Sequence, residues 1–209
     1  MKKLHISILF VMAGIFSSCS EDLFSSLVPE GKQVMLKLDY QNIAPDKVTV
    51  GTRATMPDAD EKKLNNLEVF IFNWDGRLKG YKKITSGLKQ DGSVGEVGEV
   101  KTTIGESYIY AVANNPTNVY GFDDKFPANL NEDDAVAGKI DFTRDQFKSI
   151  FFTKTATELL PSDGLFLMSG VANENDAQTD ADAVTIGVDG SIDSGKNIIK
   201  LRRNVSKVI

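Results

Sequence analysis

The chain has 209 residues, 41% hydrophobic and 25% charged, with 17 glycines and 6 prolines, so it is neither low-complexity, collagen-like nor disordered as a whole. Its single histidine is His5 and its single cysteine is Cys19; neither type recurs from Ser20 onward, which excludes a Cys or Ser-His nucleophile, a Cys/His zinc site, a disulfide framework and a histidine pH switch. The formal net charge of -5, about -7 without Lys2 and Lys3, gives a surface that repels nucleic acid and anionic lipid.

The first residues read as an address. Lys2 and Lys3 form a positive start, and Ile6 to Phe16 is an apolar run interrupted only by Ser7. A helix of that length falls well short of the roughly 30 Å hydrocarbon core, so it is a signal segment and not a membrane span. Ser17, Ser18 and Cys19 follow, and this resembles the bacterial lipobox, with Phe16 standing where a Leu is usual. The resemblance implies that Cys19 is lipidated and becomes the mature N-terminus, tethered by acyl chains at roughly 0.8 kcal/mol per buried CH₂. Ser20, Glu21 and Asp22 resemble the signal that exports lipoproteins of the Bacteroidetes group to the outer face of the outer membrane.

Beyond the tether the pattern has period two. Val34 to Tyr40 places Leu36, Leu38 and Tyr40 on one side and Lys37 and Asp39 on the other, as a half-buried strand does. From Pro45 to Lys63 there is little to bury, which predicts an exposed loop of about twenty residues. It contains Arg53, where a trypsin-like protease could cut. Leu67 to Trp74 carries large apolar groups on both faces, so it reads as a central strand covered on both sides, with Trp74 packed at its end. Asp75-Gly76 then centres a turn, and Tyr81 to Thr85 is the returning strand. Gly92 to Ile104 reads as a bulged or edge strand, and Tyr108 to Ala113 as a second core strand. Thr143 and Gln146 form a capping box before Phe147, Ile150 and Phe151, which predicts one short helix. Leu165 to Met168 and Ala183 to Val188 are two further strands, while Ile198, Leu201, Val205 and Val208 fit helical spacing as well as a strand. Six or seven short strands with one small helix make an all-β antiparallel sandwich.

Four stretches, LEVFIFNWDGRL (Leu67 to Leu78), YIYAVANNP (Tyr108 to Pro116), LFLMSG (Leu165 to Gly170) and IIKLRRNVSKVI (Ile198 to Ile209), stand in the order and spacing of the Bacteroidales fimbrillins, the lipoprotein pilins of type V, which this chain resembles. The resemblance implies a transthyretin-like, Greek-key β-sandwich whose first strand is cut away by an arginine-specific protease. A strand of a neighbouring subunit then fills the groove and builds a fibre, a case of β-augmentation. It makes Leu36, Leu38 and Tyr40 the side chains of the displaced strand, and Arg53 and Ala54 the two sides of the cut. It also implies a signal peptide over 1–18, a lipid-anchored propeptide over 19–53 and a fimbrillin N-terminal domain over 54–209. In that family the segment matching Arg203, Val205 and Lys207 lies inside a first domain that a second one follows, so this chain reads as the N-terminal part of a longer subunit or as a truncated gene product. If the last element is a strand, its partner would be missing and the bare edge would invite aggregation.

Other constellations read as ordinary surface. Asp189, Ser191 and Asp193 loosely echo a Ca²⁺ loop, but Lys200 stands where the bidentate Glu belongs. Glu174, Asp176, Asp180 and Asp182 read as a solvated loop, as do Glu132, Asp133 and Asp134. Gly95 and Gly98 precede neither a helix nor a Lys, so they cradle no phosphate. The expectation is therefore a structural subunit or anchor of a cell-surface fimbria, with no catalytic residue, metal or cofactor. Its expected partners are other fimbrial subunits in a homo- or heteropolymer, the protease, and the outer membrane through the lipid. The alternative is a monomeric surface lipoprotein that binds glycan or host protein. A carboxylate-dependent hydrolase would need two acids converging in a pocket.

Overall fold

A computed structural model describes residues 31–43, 63–115, 127, 129–151, 167–172, 180–193 and 195–203. The strands are β1 (Gln33–Asn42), β2 (Leu67–Asn73), β3 (Leu78–Ile84), β4 (Val94–Thr103), β5 (Gly105–Ala113), β6 (Met168–Val171), β7 (Val184–Ile186) and β8 (Ile198–Arg203). Two helices, α1 (Glu132–Val136) and α2 (Arg144–Phe151), lie between β5 and β6 in sequence. The strands run in the order β3-β2-β5-β6-β8-β1-β4, with β7 also pairing β5. All pairings are antiparallel except β1 with β8, which is parallel.

The alternation of β2 explains the layering. Leu67, Val69 and Ile71 face one core, where they meet Leu36, Leu38 and Tyr40 of β1, Val97 and Val100 of β4, and Ile199 and Leu201 of β8. Phe70 and Phe72 face a second core, closed by Phe142 beside α2 and by Phe147 and Ile150 on it. The sandwich interior is thus one apolar layer, and the outer face of β2, β3 and β5 carries another beneath the helices. Period two along a strand with large residues at every position demands this two-sided cover. Phe147 anchors the outer core, its ring centroid 4.9 Å from Phe70, 5.0 Å from Tyr110 and 5.6 Å from Phe72.

The all-β sandwich expected from the sequence is the fold, and particular elements refine it. The turn after β2 centres on Gly76 at φ 85, and Asn73 accepts the Arg77 N–H through Oδ1 at 2.7 Å. Edge strand β4 is bulged against Leu38/Asp39, with Gly98 at φ 76. The Thr143 hydroxyl accepts the Gln146 N–H at 3.2 Å and the Gln146 side-chain Oε1 accepts the Thr143 N–H at 2.8 Å, completing the capping box of α2.

Five expectations need correction. There are eight strands and two helices among the described residues, not six or seven and one. Glu132, Asp133 and Asp134 are not a solvated loop but the acidic first turn of α1, capped by Asn131, where the helix dipole favours them. Trp74 is not packed: the tight turn swings it outward and leaves it 66% exposed. Of the strand expected over Leu165 to Met168, Leu165 and Phe166 lie outside the described residues, and the described strand runs on to Val171, Met168–Val171, where a Cβ on Gly170 would stand 2.5 Å from the Lys200 carbonyl oxygen, so only glycine admits β8 alongside. Finally, β8 is a strand with partners on both sides, β6 and β1, so Ile198, Ile199 and Leu201 form no bare edge. Substituting Phe147→Ala should cost about 3–5 kcal/mol of stability in urea titration; a loss below about 1 kcal/mol would contradict its place at the centre of the outer core.

Candidate functional site

The residues singled out as a displaced strand converge on one slot. Leu36, Leu38 and Tyr40 are each 0% exposed. They stand opposite Val100, Gly98 and Gly95 of β4, and Tyr40 also stands beside Ile199 of β8. Ile104 donates its N–H to the Lys32 carbonyl at 3.1 Å. By the antiparallel alternation, Val34, Leu36 and Leu38 then exchange bonds with β4, while Gln33, Met35 and Lys37 aim their main-chain groups away from it. Past the bulge the other edge is engaged: Asp39 donates to the Asn197 carbonyl and Ile43 to that of Leu201, both at 2.9 Å.

The two halves of β1 are therefore held differently. Asp39 to Gln41 is laddered on both sides, whereas among the described residues Gln33 to Leu38 is laddered only by β4. On the open side the turn at Gly190, φ +74, presses so close that a Cβ there would lie 2.1 Å from the Met35 carbonyl oxygen. Met35 and Val188 are 43% and 52% exposed.

At the doubly held end sits Tyr40. Its ring covers Gly95, and its hydroxyl accepts the Lys89 N–H at 2.5 Å. Burial pushes the Tyr40 hydroxyl above its ordinary value and the Asp91 charge adds to this, against the opposing hydrogen bond from Lys89. The phenol is consequently neutral at physiological pH.

Cys19, Arg53 and Ala54 lie outside the described residues, as do Glu174, Asp176, Val205 and Lys207. Asp189 Oδ1 accepts the Ser191 N–H at 3.0 Å and the Ser191 hydroxyl at 2.7 Å, forming an Asx turn. Among the described residues no three His, Cys, Asp or Glu side chains converge on a metal position.

Sequence reasoning missed two polar assemblies. Asp180, read as solvated loop, instead pins α2 to the sheet: it pairs with Lys148, accepts from Tyr110 and meets Arg144 Nη2 at 3.1 Å. Arg144 Nε donates to the Tyr110 hydroxyl at 2.7 Å, and its guanidinium lies 3.6 Å above the Tyr108 ring. The second assembly surrounds Glu68, only 2% exposed, which accepts from Tyr81 at 3.0 Å and pairs with Lys83 at 3.0 Å. Burial and the neighbouring Glu68 carboxylate raise the Tyr81 hydroxyl far above its usual range. Partners up to 70 residues apart leave no local spacing to find; the one available signal was a polar tip on an otherwise apolar face, at Tyr110 of β5.

Desolvation alone would raise the Asp180 carboxyl, but hydrogen bonds from Lys148 and Tyr110 and the charges of Arg144 and Lys148 hold it below the ordinary 3.8. A lowered folded value stabilises the fold above the unfolded value, and the contribution disappears as pH falls through the folded one. Asp180→Asn should therefore lower Tm near pH 7, and the gap to the parent should close as the pH falls below 3.8 and through the lowered folded value. A gap of constant size across that range would contradict the charge-based account.

Eight strands among the described residues, with a first strand seated between β4 and β8, define an all-β sandwich module. The model of the major fimbrial subunit protein (FimA) family matches residues 33–203, from the first residue of β1 to the last of β8, and the chain belongs to that family. It is a family of structural subunits, not enzymes. No curated protein matches the chain. Among solved structures it is similar to a candidate cell adhesion protein from Parabacteroides distasonis, at 21% identity and TM-score 0.45 over 83% of this chain and 46% of that one. It is also similar to the C-terminally truncated tip fimbrial protein Mfa3 from Porphyromonas gingivalis (16%, TM-score 0.46, 82% and 48%). A fimbrilin from Porphyromonas gingivalis W83 shows 13% identity and a TM-score of 0.39 over 80% of this chain and 39% of that one. The chain spans less than half of each of these longer relatives.

Proposed function

We propose that this chain is a structural subunit or anchor of a surface fimbria, built by strand exchange. Lipidated Cys19 holds it on the outer membrane; a cut between Arg53 and Ala54 detaches residues 19–53 from the domain over 54–209, and β1 leaves with them. A strand from a neighbouring subunit then takes its place. The observation that carries this reading is the slot itself. Leu36, Leu38 and Tyr40 are wholly buried on a strand joined to the rest of the sandwich only through the segment containing Arg53. Once that segment is cut, nothing covalent holds β1. Three such side chains at roughly 1.5 to 3 kcal/mol each contribute about 5 to 9 kcal/mol before ordering costs, enough for a strand to bind tightly and little enough for another to replace it.

Arginines differ in how far their backbone is available. Arg77 has an exposed side chain, but Asn73 and Asp75 accept its N–H and its carbonyl accepts from Asn73. A protease that binds its substrate as an extended strand cannot seat that turn. Incubating the folded chain with an arginine-specific protease should produce a new N-terminus at Ala54, no cut at Arg77, and a ladder of oligomers on a gel; Arg53→Ala should abolish the ladder. Cutting elsewhere while Arg53 resists would overturn the proposal. A steady monomer after cleavage at Arg53 would instead favour the second reading, a monomeric surface lipoprotein that binds glycan or host protein, for which Trp74, 66% exposed beside Arg77, is the feature in favour.

A further inference from the structure

The Tyr40 end of the slot is built for one kind of side chain. Gly95 and Gly98 both stand opposite β1, for different reasons. Gly98 has φ +76, which the bulge requires, and a Cβ there would be 3.6 Å from its nearest neighbour, Lys82 Nζ. Gly95 has no such backbone demand, yet a Cβ on it would fall 2.4 Å from Tyr40 Cζ and 2.6 Å from Cε1. Glycine weakens a strand, so its presence here marks space kept for an opposing ring. Lys89, on the loop between β3 and β4, aims its N–H at the far end of that space and reaches the hydroxyl at 2.5 Å. The pocket thus has an apolar floor that fits a flat ring and a polar end that fits a phenol oxygen. The positions of Leu36 and Leu38 are aliphatic members of the same core.

We propose that the slot selects its occupant at this position: a strand of another subunit that replaces β1 must carry two aliphatic side chains and then a tyrosine at alternate residues, with the tyrosine ring over Gly95. This rests on the exchange reading above and adds to it the rule by which one donor is accepted and another refused. Backbone pairing alone accepts any extended segment; the ring-sized space and the Lys89 N–H set both register and identity.

The test uses the full chain, an arginine-specific protease and fluorescent synthetic peptides of residues 31–43, added in excess during cleavage and followed by anisotropy. The native peptide should be taken up. Tyr40→Phe, which leaves the Lys89 N–H without its acceptor, should bind between about twofold and tenfold more weakly. Tyr40→Leu, which also leaves part of the ring space empty, should lose a further factor of about ten. In a Gly95→Ala chain the order should reverse, with the leucine peptide held at least as well as the native one. Native and Tyr40→Leu peptides entering equally would overturn the selection rule and leave exchange standing. Failure of every peptide, the native one included, would overturn exchange itself and the rule with it.

Discussion

The seating of β1 between β4 and β8 is the constraint on which the rest of the molecule depends. Leu36, Leu38 and Tyr40 fill the interior of the sandwich together with Val69, Ile71, Val100 and Leu201. Taking them away exposes apolar groove and frees the facing edges of β4 and β8 at the same time. Water can satisfy the edges but not the groove, and a loose apolar side chain can fill the groove but not the edges. An extended segment with alternating apolar residues does both, and this is what supports the exchange proposed above.

The two layers of the molecule have opposite characters. On the outer face of β2, β3 and β5, aromatic packing around Phe147 and the Arg144–Asp180–Lys148 assembly fasten helix α2 to the sheet. Every partner there lies within residues 67–181, on the domain side of Arg53. On the other face, β1 is the one described strand contributed from before Arg53. The grip on it is graded: among the described residues it is singly laddered from Gln33 to Leu38 and doubly laddered at Asp39 to Gln41, with Tyr40 locked over Gly95 at the firm end. The firmer hold is therefore at the Tyr40 end.

Much of this was legible in the sequence because period two reports burial directly. LEVFIF in β2 announced its two-sided cover, VMLKLDY announced the three slot residues, and T-x-x-Q announced the start of α2. What stayed hidden depends on distance or on turn geometry. Nothing near Asp180 says that Tyr110 and Arg144 will meet it, so an acidic stretch read as solvated. Trp74 follows an apolar run, but the turn at Gly76 decides which way it points. The last element fitted helix and strand alike, and its pairing with β1, over a separation of more than 150 residues, settled it. The close approach of Gly95 to Tyr40 was invisible for the same reason: a glycine in a strand shows that something is near, not what.

The central claim is that β1 is a removable occupant of a slot shaped for it. Amide hydrogen exchange before and after cleavage at Arg53, with the released N-terminal segment washed out under mild denaturant and the domain returned to buffer, tests this most directly. Protection of Val100 and Thr102 in β4 should collapse while Phe70 and Val112 stay protected under α2, and it should return when a matching strand is added. If Val100 and Thr102 remain protected after the segment has gone, or if the whole domain loses protection together, the slot is not an exchangeable seat and the account is wrong.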